Sequence, residues 1–94
     1  MSEFTFKNFN EFHDFLDTNS SHFTSTKIQS FMGVVKTARR TGCGMCKRKN
    51  FGIAEETYRN MFTLLTQEDK VKIKELLNVE SVKFFFNEAP MFTF

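Results

Sequence analysis

Residues 81–94 read Ser-Val-Lys-Phe-Phe-Phe-Asn-Glu-Ala-Pro-Met-Phe-Thr-Phe, and here the sequence changes its period. Val82, Phe84 and Phe86 alternate with other residues, as side chains on one face of a β-strand do. Residues 87–90 are typical of a turn, and the last four residues alternate again. This pattern predicts a C-terminal β-hairpin. Because two strands alone are only marginally stable in water, the hairpin must pack on helices or join a neighbour's sheet.

Upstream of the hairpin, apolar residues recur at the i, i+3, i+4, i+7 spacing of amphipathic helices. The spacing predicts four short helices, over about residues 8–17, 24–40 and 52–65 and then a last one that ends at Asn78. Their predicted inward faces are Phe9, Phe12, His13 and Leu16; Ile28, Phe31, Met32, Val35 and Ala38; Ile53, Ala54, Tyr58, Met61, Phe62 and Leu65; and Val71, Ile73, Leu76 and Leu77. Together with the hairpin they predict an α+β fold.

The length and composition of the chain limit its class. Ninety-four residues predict a single small domain, residues 1–94, and four Gly with one Pro exclude collagen and low-complexity chains. No apolar run approaches the roughly 20 residues that a membrane helix needs, so we expect no membrane partner. The first residues lack the basic and apolar regions of an export signal, which predicts a reducing compartment.

Phenylalanine is unusually abundant, with 14 Phe against one Tyr and no Trp. Each buried Phe removes roughly 150–250 Å² from water, and the interior of so short a chain is small. We therefore expect rings near the two termini to contact another chain, whereas the alternative is a codon bias toward Phe, Lys and Asn. The predicted partner-binding residues are Phe4, Phe6, Phe84, Phe86, Phe92 and Phe94.

Charge is distributed unevenly along the chain. Residues 27–54 hold seven basic and no acidic residues, whereas residues 1–26 hold one Lys and four acidic residues. The predicted anion-binding residues are Arg39, Arg40, Lys47, Arg48 and Lys49. Their partner is expected to be an acidic protein surface, the acidic first zone of another copy, or nucleic acid phosphate. The alternative is a solvated loop without a partner.

Cys43 and Cys46 lie in residues 41–50, which are predicted to form a loop. Two residues between thiols allow both sulfurs to bind one zinc ion, but a structural zinc site needs four ligands. His13 and His22 could supply the other two, or two copies of the loop could meet. The alternatives are a redox couple or a pair of inert thiols, so the cofactor prediction is zinc or none.

The basic cysteine segment, residues 39–49, reads Arg-Arg-Thr-Gly-Cys-Gly-Met-Cys-Lys-Arg-Lys. With the helices and the β end that follow, it resembles short proteins, mostly uncharacterised, of tailed bacteriophages, especially T4-like phages of marine hosts. The resemblance covers residues 28–94 in outline. It implies a structural role in capsid, neck, tail or baseplate, with a location in the virion or in the cytoplasm of the host cell.

Three classes of function follow from these observations. The leading hypothesis is a non-enzymatic assembly protein that binds partner chains, copies of itself included, through its Phe-rich termini and the basic cysteine segment. The second is a small nucleic-acid-binding or regulatory protein that uses the same segment, stiffened by zinc. An enzyme, such as a thiol redox protein, comes third. A redox pair of cysteines is expected to follow a strand, whereas here a predicted helix precedes it, and no Ser-His-Asp set, phosphate-binding glycine loop or paired-carboxylate spacing occurs in the sequence.

Overall fold

The computed structural model describes residues 2–94 and has an α+β fold. Three strands and five helices follow one another along the chain, with one short 3₁₀ helix between the first two α-helices. The elements are β1 (Glu3–Phe6), α1 (Phe9–Thr18), the 3₁₀ helix (Ser20–His22), α2 (Thr26–Arg40), α3 (Gly44–Arg59), α4 (Met61–Leu64), α5 (Gln67–Leu77), β2 (Ser81–Phe86) and β3 (Ala89–Thr93). The predicted fold class and C-terminal hairpin are thereby confirmed.

Local side-chain hydrogen bonds fix where three of the helices begin. The Asn8 side chain accepts the backbone N–H of Glu11 at the start of α1, and Ser25 caps α2 in the same way. At the start of α5, Thr66 accepts the Asp69 N–H at 3.0 Å while the Asp69 carboxylate accepts the Thr66 N–H at 3.1 Å. This reciprocal pair is a capping box in which Asp replaces the usual Glu or Gln.

The sheet has the order β1-β2-β3, with β2 in the centre. Strand β3 is antiparallel to β2, and the two-residue turn between them places Asn87 and Glu88 at φ values of 51° and 66°. Positive φ at both positions is typical of a type I′ turn, whose twist matches the right-handed twist of the two strands that it joins. The turn is shorter than predicted, because β3 already begins at Ala89.

Strand β1 pairs in parallel with β2 and was not predicted from the sequence. Glu3-Phe4-Thr5-Phe6 alternates as a strand does, but no neighbouring strand lies within a turn's length in the sequence, because its partner is at the other end of the chain. The pairing places Phe6 opposite Phe84, so residues 3–6 lie beside the central strand of the sheet. The hairpin is therefore completed by a strand of its own chain as well as by helices.

The two faces of the sheet differ in chemistry. Phe6, Val82 and Phe84 lie on the face that the helices cover and are buried. On the other face Glu3 binds Lys83, with 3.5 Å between the carboxylate oxygen and Nζ. The covered face therefore carries the core, and the open face is largely polar.

Aromatic rings make up the centre of that core. The ring of Phe84 lies 4.8 Å from that of Phe12, 5.2 Å from Phe6 and 5.6 Å from Tyr58, centroid to centroid. Such tilted and edge-on pairs are favoured by the ring quadrupoles. Helices α1 and α3 and strands β1 and β2 are thus joined through one cluster of rings.

Helix α3 corrects two predictions. The predicted loop at 41–50 is wrong, because the helix begins at Gly44 and only residues 41–43 separate it from α2. Lys and Arg are good helix formers, and the Cys43 side chain caps the first turn, so the two glycines nearby do not prevent the helix. The predicted single helix over 52–65 is also wrong, since α3 ends at Arg59 and the short α4 follows.

The inward faces of the first two helices are confirmed, residue by residue, by burial. Three residues predicted to point inward farther along the chain are exposed instead: Ile53 by 44 %, Phe62 by 50 % and Val71 by 45 %. Ile53 precedes the buried Ala54, and on a helix such neighbours point in different directions. Within residues 2–94, no helix is long and apolar enough to cross a bilayer.

Candidate functional site

The cysteine pair lies at the corner between α2 and α3. Cys43 is the N-cap residue of α3, and its Sγ accepts the backbone N–H of Cys46 at 3.4 Å. Both cysteines are free and exposed. Met45 lies between them and is 81 % exposed. The first turn of α3 therefore presents two thiols and an apolar side chain to the outside.

The same geometry makes the two thiols unequal. Hydrogen bonds lower the pKa of the Cys43 thiol, first the backbone N–H of Cys46 and then the Cys46 thiol. Donation to Cys43 raises the pKa of the Cys46 thiol in turn. Cys43 is therefore the first of the pair to become a thiolate, the form that binds metals and attacks disulfides.

The two histidines do not complete a metal site with these thiols. His13 is buried in α1, where its Nδ1 lies 3.1 Å from Asp14 Oδ1, and its Nε2 has no hydrogen-bond partner. His22 is exposed in the 3₁₀ helix. Throughout residues 2–94, no three His, Cys, Asp or Glu side chains gather closely enough to hold a metal ion. Within the described residues, the corner between α2 and α3, called here the cysteine corner, thus brings together two groups of a type that binds metals, Cys43 and Cys46.

The predicted anion-binding residues separate into two groups. Arg39 binds α1, because its Nη1 lies 3.0 Å from Asp14 Oδ1 and its Nη2 lies 2.7 Å from Asn10 Oδ1. The Asp14 pKa is lowered by its hydrogen bonds, first from His13 and then from Arg39. A second pair joins Lys36 to Asp17 at 3.0 Å. Two basic side chains that could have paired with the acidic zone of another copy therefore pair with that zone in their own chain.

The other predicted anion-binding residues are Arg40, Lys47, Arg48 and Lys49. All four are exposed, and none has a carboxylate partner in the described part of the chain. Lys47 Nζ lies 5.9 Å from the centre of the Phe51 ring, a weak cation–π contact. We call Arg40, Lys47, Arg48 and Lys49 the basic corner. Its charge is next to the two cysteines and remains available to an anion.

The terminal phenylalanines are sheltered more fully than their positions suggest. Phe6 and Phe84 are 1 % and 0 % exposed, so the structure removes them from the predicted partner-binding surface. Strand β1 is the reason, because it brings both ends of the chain into one sheet. Phe4 is 36 % exposed. The rings that remain partly exposed are Phe86, Phe92 and Phe94.

Phe92 and Phe94 belong to a larger surface that sequence reasoning missed. The ring of Phe62 in α4 lies 5.7 Å from that of Phe92. Lys70 Nζ lies 4.5 Å from the centre of the Phe62 ring, and Lys74 Nζ lies 5.6 Å from that of Phe94. We call these five residues the aromatic rim. The exposure of Phe62 shows only in three dimensions, although the i, i+4 spacing of the two lysines is visible in the sequence.

No protein-family model, curated protein or solved structure matches this chain.

Proposed function

We propose that this chain is a non-enzymatic assembly protein of a tailed-phage particle. Its aromatic rim binds an extended, acidic segment of a partner protein along the edge of β3. The observation that carries the proposal is a group of rings, Phe62 exposed by 50 % and Phe92 and Phe94 partly exposed, beside an open strand edge. The phage setting rests on the resemblance of residues 28–94, in which the basic cysteine segment is the distinctive motif.

The edge of β3 can accept a further strand. β3 is the last strand of the sheet order β1-β2-β3, so its outer side has no neighbour in the described residues. The N–H and C=O of Phe94 bind Val82 at 2.9 and 2.7 Å, which leaves the backbone groups of Thr93 to point away from β2. Pro90 lacks an N–H, so pairing is expected near the C-terminal end of the strand.

The charge of the rim selects an acidic partner. Lys70 and Lys74 lie over the rings of Phe62 and Phe94, and neither has a carboxylate partner among residues 2–94. Carboxylates on an added strand would meet these ammonium groups, while apolar side chains of that strand would cover the rings. A ring and a cation that the partner shields from water contribute more to binding than contacts that stay in water at the edge of an interface.

Peptide selection tests this proposal. A displayed library of random decapeptides is selected on the immobilised chain, and in parallel on a Lys70→Glu, Lys74→Glu variant. We expect acidic, β-branched peptides from the first selection and basic peptides from the second. Lys72→Glu is the control for a charge reversal on the same helix, because Lys72 lies on α5 beside Ser25 and Glu68, away from the rim. No enrichment, or the same peptides from both proteins, would contradict the proposal.

The basic corner favours a second candidate, a nucleic-acid-binding protein. Its four exposed cations lack carboxylate partners within residues 2–94 and can contact phosphates, whose binding weakens steeply with salt. The test compares binding of duplex DNA at about 50 mM and about 200 mM salt. The Lys47→Ala, Arg48→Ala, Lys49→Ala variant should lose this binding, whereas the equal charge change Lys70→Ala, Lys72→Ala, Lys74→Ala should retain most of it. Absence of binding at the lower salt would remove this candidate.

A further inference from the structure

The cysteine corner can hold half of a metal site. Cys43 and Cys46 lie on one turn of α3 and are both exposed, with the Cys46 N–H donating to Cys43 Sγ at 3.4 Å. Two residues between the ligands, and an N–H directed at the first sulfur, are the features by which a cysteine pair binds one zinc ion. Full exposure of both thiols makes both available to the same ion.

The other half must come from outside the chain. Structural zinc takes four ligands, and within residues 2–94 no third His, Cys, Asp or Glu joins the pair. His13 cannot turn toward the corner, since it is 1 % exposed in α1 and its Nδ1 contacts Asp14. A second copy of the chain offers the missing ligands in the required form, namely two more thiols on one turn.

The surroundings of the thiols suit the approach of a second copy. A side chain added at Gly42 or Gly44 would meet nothing within 4 Å, so the space next to both cysteines is open. Met45 lies between the cysteines and is 81 % exposed. Across a two-fold axis, the Met45 side chains of both copies would face each other and cover apolar surface that one copy leaves in water.

Charge makes the association depend on the metal. Four thiolates around one Zn²⁺ leave a net double negative charge, and Lys47, Arg48 and Lys49 of each copy lie next to it along α3. Without the metal the same cations repel the cations of the other copy. The corner is therefore expected to attract a second copy only after the thiolates have bound the ion.

We propose that Cys43 and Cys46 of two copies together hold one Zn²⁺ in a tetrahedral four-thiolate site, which joins the copies through the N-termini of their α3 helices. None of these residues belongs to the aromatic rim, so the zinc site and the proposed partner binding can fail independently of each other.

Metal titration of the full chain tests for the shared site. The reduced, chelator-treated protein is titrated with Co²⁺ and separately with Zn²⁺ under anaerobic conditions. We expect the strong visible absorption of tetrahedral Co²⁺–thiolate coordination, saturating at one ion per two chains. Sedimentation should show a doubling of mass at the same endpoint, reversed by chelator. Saturation at one ion per chain, or a chain that remains monomeric with excess Zn²⁺, overturns the proposal.

Single substitutions show whether both thiols are ligands. Cys43→Ser and Cys46→Ser should each abolish the cobalt spectrum and the doubling of mass. The circular dichroism spectrum should stay unchanged, because both side chains are exposed and a serine at position 43 can still cap α3. Phe94→Ala should retain both metal readouts, since it changes a ring of the aromatic rim that packs on Phe84 and leaves both cysteines in place. If the reduced chain binds neither metal but forms an intrachain disulfide in air, the pair is a redox couple and the proposal is wrong.

Discussion

The phenolic hydroxyl of Tyr58 donates a hydrogen bond of 2.8 Å to the backbone carbonyl oxygen of Phe85 and so fastens α3 to the central strand. The carbonyl oxygen of Phe6 lies 3.4 Å from the same hydroxyl, which places one side chain across the β1–β2 pair. Tyr58 is fully buried, and burial raises the pKa of its phenol well above the ordinary value. The hydroxyl therefore remains a neutral donor at physiological pH.

Tyr58→Phe should lower the free energy of unfolding by about 1–2 kcal/mol, because it removes a buried donor and leaves the Phe85 carbonyl unsatisfied. Urea denaturation followed by circular dichroism measures the change. The ring itself stays in place, so the slope of the transition should not change. An unaltered midpoint would show that the hydrogen bond contributes nothing to stability.

Phe84→Ala should lower the free energy of unfolding by about 3–5 kcal/mol, because it leaves a cavity among the five rings that contact Phe84. Phe4→Ala, the same change on a ring that is 36 % exposed, should lower it by less than about 1 kcal/mol. Thermal denaturation of both variants gives the comparison. Similar losses of stability from the two substitutions would contradict the conclusion that Phe84 belongs to the core and Phe4 does not.

Thr66→Ala should lower the free energy of unfolding by about 1 kcal/mol, because it removes one half of the capping box of α5. The matched control is Thr37→Ala, which makes the same change on the exposed face of α2. Ala has the higher helix propensity there, so no loss is expected. Chemical denaturation tests both variants, and an equal loss from each would be evidence against a capping role.

Asp14 should make stability sensitive to acid. Its folded pKa lies below the ordinary value of 3.8 because His13 and Arg39 bind the carboxylate. The stabilisation is therefore complete above pH 3.8 and disappears as the pH falls through the lower, folded pKa. The side chain is 63 % exposed, so solvent screening limits the effect to less than about 1 kcal/mol.

Asp14→Asn should accordingly lose less stability than the native chain when the pH is lowered below about 4, while being slightly less stable at neutral pH. Denaturant midpoints across this range provide the measurement. Glu55→Gln, which removes one carboxylate from an exposed position on α3, should leave the slope of stability against pH unchanged. Parallel curves for Asp14→Asn and the native chain would refute the linkage.

Local patterns predicted most of the elements correctly. Helices α1 and α2 show the full i, i+3, i+4, i+7 set of buried residues, and the alternation of Val82 and Phe84 marks β2. Residues 44–49 form part of a helix that was not predicted there, because their three basic residues and single cysteine carry no apolar period. They are helical since the rest of α3 packs on α2 and since Cys43 caps the first turn.

The candidate sites divide in a similar way. Cys43, Cys46 and the cations beside them were visible as a motif, because their chemistry depends on residues close together in sequence. The aromatic rim was not predicted, because Phe62, Lys70 and Phe94 come from three separate parts of the chain. Which of the terminal rings remained exposed depended on strand β1, whose partner lies at the far end of the chain.

The amino-acid sequence alone determined the capped starts of α1 and α5, the buried faces of α1 and α2 and the hairpin at the C-terminus. Those features depend on hydrogen bonds and side-chain directions within a few residues, which neighbouring residues dictate. The tertiary structure decided that Phe6 and Phe84 lie in the core and that Phe62 faces outward. A side chain is buried only when other residues pack against it. Phe6 and Phe84 pack against each other, from opposite ends of the chain.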